Sequence, residues 1–129
     1  MDDIKFRAWD KVMGKMYEVG FIDFAKERAQ LAHIVDGICY AVYISPLKDV
    51  ELLQYTGLKD KNGKEVYEGD ILKEKDIITE VVFHNYHWKE KLISSPRNHL
   101  KNYFPFRDTM PFTAEVLGNI YDNPDLLKK

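Results

Sequence analysis

Five side chains of this sequence have the chemistry to bind a transition metal. They are His33, Cys39, His84, His87 and His99. His84 and His87 are three positions apart, and an odd spacing in an extended strand directs two side chains to opposite faces unless a turn intervenes. The sequence has neither a second cysteine nor the His-x-x-x-His spacing of helical zinc sites. The pattern therefore favours ordinary surface histidines, and we expect no metal and no cofactor.

Three carboxylates near the middle of the chain have a spacing that suits acid–base catalysis. Glu65, Glu68 and Asp70 are close enough in sequence to form a pair, but catalytic carboxylates need surroundings that separate their pKa values. The lysines around them indicate a solvated, charged turn instead. These lysines are Lys59, Lys61 and Lys64. A small-molecule enzyme that uses the three carboxylates is therefore the least favoured hypothesis, and we assign no catalytic residue.

Charge is distributed unevenly along the chain. Residues 84–107 contain five cationic side chains and one anionic one, a net of +4, whereas the whole sequence has a net charge of −2. The segment is also rich in aromatic residues, and proteins that bind single-stranded nucleic acids combine phosphate-neutralising cations with rings that stack on bases. The candidate nucleic-acid or partner contacts are Trp88, Lys89, Lys91, Arg97, Lys101, Tyr103 and Arg107. The alternative, which we favour, places Trp88 and Phe104 in the core or in a subunit contact and leaves the lysines to keep that face soluble.

Alternation of apolar and polar residues predicts strands through most of the chain. Residues 25–35 suit a helix or a strand, but the Asp36-Gly37 pair that follows is a strong hairpin signal and favours the strand. Residues 50–55 are predicted as a strand or a short helical turn. Further strands are predicted at 4–9, 16–24, 38–44, 71–73, 77–84, 86–93 and 114–121, the last with Gly118 as a bulge.

The segments between these strands carry clear turn signals. Residues 57–70 are turn-rich, with a tight turn at Asn62-Gly63. Residues 94–113 contain three prolines and no clean period, which predicts a long excursion. Many short strands separated by turns predict a mainly β fold with minor α, built from hairpins as a small barrel or sandwich. No repeat or linker divides the 129 residues, so a single domain over 1–129 is expected.

The single cysteine, Cys39, excludes an intramolecular disulfide and fits a reducing compartment. It lies in the apolar run 38–44, where we expect a buried and unreactive thiol. The N-terminus lacks a basic stretch followed by an apolar one, which a secretory signal would have. No apolar run approaches the ~20 residues of a transmembrane helix. The expected location is cytoplasmic, with no membrane partner.

Three stretches of the sequence resemble one known family. The opening stretch is IKFRAWD at 4–10, the central one is QYTGLKDKNGKEVYEGDI at 54–71, and the closing one is EVLGNIYDNP at 115–124. Together they resemble the YopX family, in that family's order, and they bracket nearly the whole chain. The central stretch is the most specific of the three.

The resemblance implies a β-rich, barrel-like domain in a homo-oligomer, encoded by a phage or prophage and located in the cytoplasm of a bacterial host. It implies no catalytic or binding residues, because the family has no established function. We therefore expect a non-enzymatic accessory protein that acts as a homo-oligomeric binding or assembly module toward a host or phage macromolecule. A nucleic-acid-binding module that uses residues 84–107 is the alternative.

Overall fold

The computed structural model describes residues 5–96 and 102–127, in which nearly all regular structure is β-strand. The strands are β1 (Phe6–Asp10), β2 (Lys15–Asp23), β3 (Arg28–Val35), β4 (Ile38–Pro46), β5 (Val50–Lys59), β6 (Glu65–Tyr67), β7 (Asp70–Glu74), β8 (Ile77–His84), β9 (His87–Ser94), β10 (Tyr103–Pro105) and β11 (Glu115–Asn119). Short 3₁₀ turns lie at Leu47–Asp49 and Pro124–Leu127, and one four-residue helix, α1, spans Met110–Thr113. The predicted mainly β class with minor α is confirmed.

The described chain forms two compact units, residues 5–54 and residues 55–127, which we call the N-terminal and C-terminal units. Strand β5 contributes to both, since residues 50–54 pair with β1 whereas Tyr55 and Lys59 pair with β6. The expectation of a single domain stays a prediction.

The N-terminal unit is a run of antiparallel hairpins in the order β4-β3-β2-β1-β5. The hairpin predicted at Asp36-Gly37 joins β3 to β4. Both residues have positive φ, 52° and 79°, as the type I′ turn requires. The strand interpretation of the ambiguous 25–35 segment is therefore confirmed, and residues 50–55 also form a strand, within β5.

The N-terminal unit packs a small aromatic and aliphatic core on one face of its sheet. Its buried residues are Ala8, Tyr17, Ala29, Leu31 and Val50. Tyr43 adds an edge-to-face contact with Tyr17, with ring centroids 5.4 Å apart. The Tyr43 hydroxyl donates a hydrogen bond to Asp10 Oδ2, while the other oxygen of Asp10 accepts from the turn amides of Val12 and Met13.

The C-terminal unit contains an antiparallel sheet in the order β10-β9-β8-β7-β11. Strands β7 to β10 follow one another in the chain, whereas β11 pairs on the far side of β7. The register of β11 shifts between Val116 and Gly118, so the predicted bulge is confirmed. The core below this sheet is formed by Val66, Leu72, Val81, Met110 and Ala114.

Three expectations from the sequence require correction. In the described residues neither sheet closes on itself, so the fold is not a closed barrel: β4, β10 and β11 are each terminal in the strand order. The excursion at 94–113 contains β10 and α1, although residues 97–101 lie outside the described chain. Cys39 is exposed, because the apolar run that contains it is an edge strand and not a central one.

Asp60 connects the turn before β6 to the last strand of the C-terminal unit. Its Oδ1 accepts hydrogen bonds from the N–H groups of Asn62 and Lys64, both at 2.9 Å, and its Oδ2 accepts from Val116 N–H at 2.9 Å. Burial by itself would raise the pKa of Asp60, but these three bonds and the charge of Lys64 outweigh it and lower the pKa. Asp60 therefore acts as an acceptor for the amides of its own turn and of β11.

We predict that Asp60→Asn destabilises the C-terminal unit by about 2 to 3 kcal/mol, because an amide cannot accept all three bonds and the lost ones involve a charge. A carboxyl whose pKa is lowered by folding contributes stability above its unfolded pKa, and that stability is lost as the pH falls toward the folded value. Denaturant unfolding between pH 7 and 3 should therefore show a steep acid loss in the wild type and a flatter profile in the variant. The exposed Asp108→Asn is the control, and equal profiles in all three proteins would contradict the assignment.

Candidate functional site

The basic and aromatic side chains predicted between residues 84 and 107 are divided between two faces of the C-terminal sheet. Cross-strand register places Lys91 beside Tyr103 and Glu80, and places Lys89 beside Val82 and Pro105. Directly opposed residues of antiparallel strands share a face, so these side chains form one surface. His84 and His87, which are paired across the β8–β9 turn, belong to it as well. We call it the basic face.

Aromatic stacking is present on the basic face. The rings of His84 and Tyr103 are parallel, with centroids 4.1 Å apart. The ammonium of Lys89 is 3.3 Å from Nδ1 of His84. The turn that brings His84 and His87 together contains Asn85 and Tyr86, which both have positive φ. His84 and His87 therefore lie on the same face despite their odd spacing, because a turn intervenes between them.

One acidic side chain moderates the charge of the basic face. Glu80 lies opposite Lys91 in the register of β8 and β9. Partial burial raises the pKa of Glu80, while the charge of Lys91 lowers it and that of Glu68 raises it further. The local charge is consequently smaller than the lysines alone suggest.

Two of the remaining candidate contacts, Trp88 and Arg107, do not join this face. Trp88 packs against the C-terminal core and makes an edge-to-face contact with Phe83, with centroids 5.1 Å apart. Arg107 forms an ion pair with Glu74, Nη2 to Oε2 2.9 Å, and its guanidinium lies 5.8 Å from the Phe104 ring centroid. Arg97 and Lys101 lie outside the described residues. The structure thus brings Lys89, Lys91 and Tyr103 together and places Trp88 and Arg107 elsewhere.

A buried polar cluster in the C-terminal unit has no signal in the sequence. Glu90 is 1% exposed; its Oε1 accepts a hydrogen bond from Thr79 Oγ1 at 2.8 Å, and its Oε2 is buried without a hydrogen-bond partner. Burial raises the pKa of Glu90. The hydrogen bond from Thr79 and the charge of Arg107 act to lower this pKa, whereas the charge of Glu74 raises it, and the net shift is upward. A lone glutamate in a sequence segment otherwise read as surface charge gives no indication of such burial.

The three carboxylates considered from the sequence as a catalytic group, Glu65, Glu68 and Asp70, are each buried or half-buried. Asp70 is 1% exposed, and its Oδ2 accepts the backbone N–H of Tyr67 at 2.8 Å. Glu65 and Glu68 are half-buried.

In the ranges 5–96 and 102–127, no three His, Cys, Asp or Glu side chains are grouped closely enough to hold a metal ion. No helix over the same residues is long and apolar enough to cross a membrane.

The outer strand of the N-terminal unit exposes an unusual amount of apolar surface. Strand β4 pairs with β3 alone among the described strands. Its alternate residues Tyr40, Val42 and Ile44 point away from the core and are 64%, 52% and 46% exposed. No charged residue occurs between Ile38 and Ser45. The sequence does not reveal this edge, because the run of β-forming residues also suits a buried central strand.

One family model and two solved structures are similar to this chain. The model of the family described as YopX protein matches residues 5–128. Protein EF1440 from Enterococcus faecalis has a crystal structure similar to this chain, with 25% sequence identity, a TM-score of 0.63, and coverage of 99% of this chain and 100% of that one. Protein yopX from Bacillus subtilis is similar at 18% identity and a TM-score of 0.59, covering 100% of this chain and 98% of that one. No curated protein matches this chain.

We predict that Glu90→Gln stabilises the protein at neutral pH. A carboxyl whose pKa is raised by folding favours the folded state below its unfolded pKa, and this contribution is lost as the pH rises through the folded value. The glutamine retains an acceptor for Thr79 and removes the buried charge. In thermal unfolding the variant should exceed the wild type at pH 8, and the difference should vanish below the ordinary pKa of 4.5. The exposed Glu51→Gln serves as control; a variant that is less stable at pH 8 would contradict the prediction.

Proposed function

This chain belongs to the YopX family, and from that premise we propose that it is a non-enzymatic phage or prophage accessory protein that acts in the host cytoplasm as a homo-oligomeric binding or assembly module. The observation that carries the proposal is the edge strand β4. An edge strand presents a row of unpaired backbone N–H and C=O groups to any strand that approaches it.

The composition of β4 suits pairing with another chain. Proteins that avoid such pairing place charges, prolines or bulges on their edge strands. Over Ile38–Ser45 this strand has no charge and no proline. The one register shift of this pair leaves Tyr40 of β4 without an opposing residue, so a bulge interrupts the strand near its start, whereas the residues from Ala41 to Pro46 pair continuously with β3.

A second copy of the same strand is the occupant that fits. Antiparallel pairing of β4 with itself is two-fold symmetric, which is the commonest symmetry of soluble oligomers. Because the strand is uncharged, self-pairing places no like charges opposite each other. On the outer face of each copy, Phe21 of β2 and Ile44 of β4 lie on either side of Gln30 of β3. Self-pairing of β4 would join the outer faces of two copies and so extend this apolar surface.

The carboxylates with lowered pKa values support a non-enzymatic role. Burial acts to raise the pKa of Asp10, but the hydrogen bonds from Tyr43, Met13 and Val12 outweigh it and lower the pKa. Asp60 is held in the same manner by backbone amides. Both groups are committed to the folded structure and need no role in chemistry to account for their environments.

We predict that Val42→Lys weakens self-association by at least about tenfold, because each copy then carries a positive charge on the edge that must pair. Light scattering after size exclusion, over a range of protein concentrations, measures the change. Val12→Lys is the matched control, since Val12 is 73% exposed but lies in the β1–β2 turn. A wild type that stays monomeric at high micromolar concentration would refute the oligomer, and equal effects of both variants would refute the β4 interface.

A nucleic-acid-binding module remains the second candidate, and it rests on the basic face. Lys89, Lys91 and the stacked His84–Tyr103 pair share one surface of the sheet. Cations can neutralise phosphates there, and the outer side of a stacked ring pair can receive a base. Trp88 and Arg107 make other contacts and take no part in this binding surface.

For this second candidate we predict that the double variant Lys89→Gln, Lys91→Gln lowers affinity for single-stranded DNA about tenfold and reduces the slope of log affinity against log salt by about 1 to 2. Fluorescence anisotropy with labelled single-stranded and duplex DNA and RNA at several salt concentrations provides the measurement. The double variant Lys26→Gln, Lys48→Gln carries the same charge change in the N-terminal unit. Equal weakening in both double variants, or no binding at low salt, would eliminate this candidate.

A further inference from the structure

An open pocket of about 220 Å³ lies in the C-terminal unit, and its walls carry more positive than negative charge. The lining residues are Lys61, Lys73, Lys75, Thr113 and Glu115. None of them lies on β4 or is among the residues that define the basic face, although Lys73 is on the same side of the sheet as Glu80. The volume is small for a drug-sized molecule but sufficient for a tetrahedral anion.

A backbone hydrogen bond fixes the position of Lys61, one of the residues that line the pocket. Its N–H donates to the carbonyl of Ala114 at 2.9 Å. The preceding residue, Asp60, holds both the turn and Val116 through its carboxylate. The central stretch of the family pattern, residues 54–71, therefore forms a turn and also places Lys61 at this site.

The other two lysines of the pocket come from β7 and the turn that follows it. Lys73 lies directly opposite Glu115 of β11, and Lys75 follows two residues later, in the turn between β7 and β8. Lys75 has a φ of +56°, a region that favours glycine, asparagine and aspartate. A lysine thus occupies a turn position where asparagine or glycine would fit with less strain.

Charges in the pocket are only partly balanced. Glu115 Oε2 is 3.5 Å from Lys61 Nζ, in a pair whose side chains are 40% and 44% exposed. Exposed pairs of this kind are weak and exchange readily with other partners. Three lysines and one glutamate leave a local charge of +2. Thr113 donates its hydroxyl to the carbonyl of Thr109 at 2.9 Å, so the ammonium groups are the donors available to a ligand.

We infer that this pocket binds a phosphate group, with Lys61, Lys73 and Lys75 as its donors and Glu115 as the anion that the ligand displaces from Lys61. The local charge of +2 matches a phosphate dianion. Inorganic phosphate, a mononucleotide and the backbone of a nucleic acid share this chemistry. The site is independent of the proposed assembly function.

The experiment titrates the full chain with inorganic phosphate and with adenosine monophosphate at constant ionic strength, followed by amide chemical shifts and calorimetry. Shifts should be confined to residues around the pocket. Similar affinities for the two ligands would identify the phosphate group as the recognised element. Titration with a single-stranded oligonucleotide, compared with the mononucleotide, tests whether a chain of phosphates binds more tightly at the same residues.

Lys75→Asn is the decisive variant, because asparagine tolerates positive φ and the substitution keeps the turn while removing one donor. Phosphate affinity should fall at least about fivefold, with no loss of thermal stability. Glu115→Gln should strengthen binding, and Lys48→Asn, an exposed lysine of the N-terminal unit, should leave it unchanged. Absence of phosphate binding in the wild type, shifts outside the pocket, or equal losses in Lys75→Asn and Lys48→Asn would overturn the inference.

Discussion

The carboxylate of Asp60 is the contact on which the organisation of the C-terminal unit most depends. It accepts two amides of its own turn and one from Val116, 56 positions away in the sequence. Each of those amides would otherwise need another partner, and a buried amide without one is costly. The turn, the end of β5 and the start of β11 are therefore fixed together, and the family pattern over residues 54–71 gains a physical explanation.

Local backbone chemistry made much of the fold predictable. Asp36-Gly37 and Asn62-Gly63 announce their turns because few residue pairs adopt positive φ at low cost. Gly118 marked the bulge in β11 for a related reason. Period-two alternation located most of the strands, and the structure confirms them to within a few residues.

Predictions failed where the answer depended on which strands become neighbours. The run 38–44 has the composition of a core strand, yet it lies at an edge, so Cys39 is exposed and no barrel closes. Successive residues of a strand point to opposite faces, so Trp88 and Lys89 lie on different faces of the sheet. A count of charges and aromatic rings over residues 84–107 takes no account of this alternation. The three-lysine pocket was equally inaccessible, since Lys61, Lys73 and Lys75 meet only because β11 crosses to the outer side of β7.

The three sites proposed for binding differ in physical character. Strand β4 offers backbone hydrogen bonds and apolar side chains, which favour a partner of the same kind and are little affected by salt. The basic face and the lysine pocket offer charge, which is screened over about 10 Å at 0.1 M salt. The chemistry of assembly and the chemistry of anion recognition are thus located on different parts of the chain.

The strand order of the C-terminal sheet also has a consequence for how the chain acquires its structure. Strands β7 to β10 are joined by local connections and can pair as soon as they leave the ribosome, whereas β11 must return across the sheet to reach β7. Contacts between distant residues slow folding because loop closure precedes any gain in energy. Completion of this unit is therefore expected to be a late step that waits for synthesis of nearly the whole polypeptide, with the Asp60 turn left only partly bonded until then.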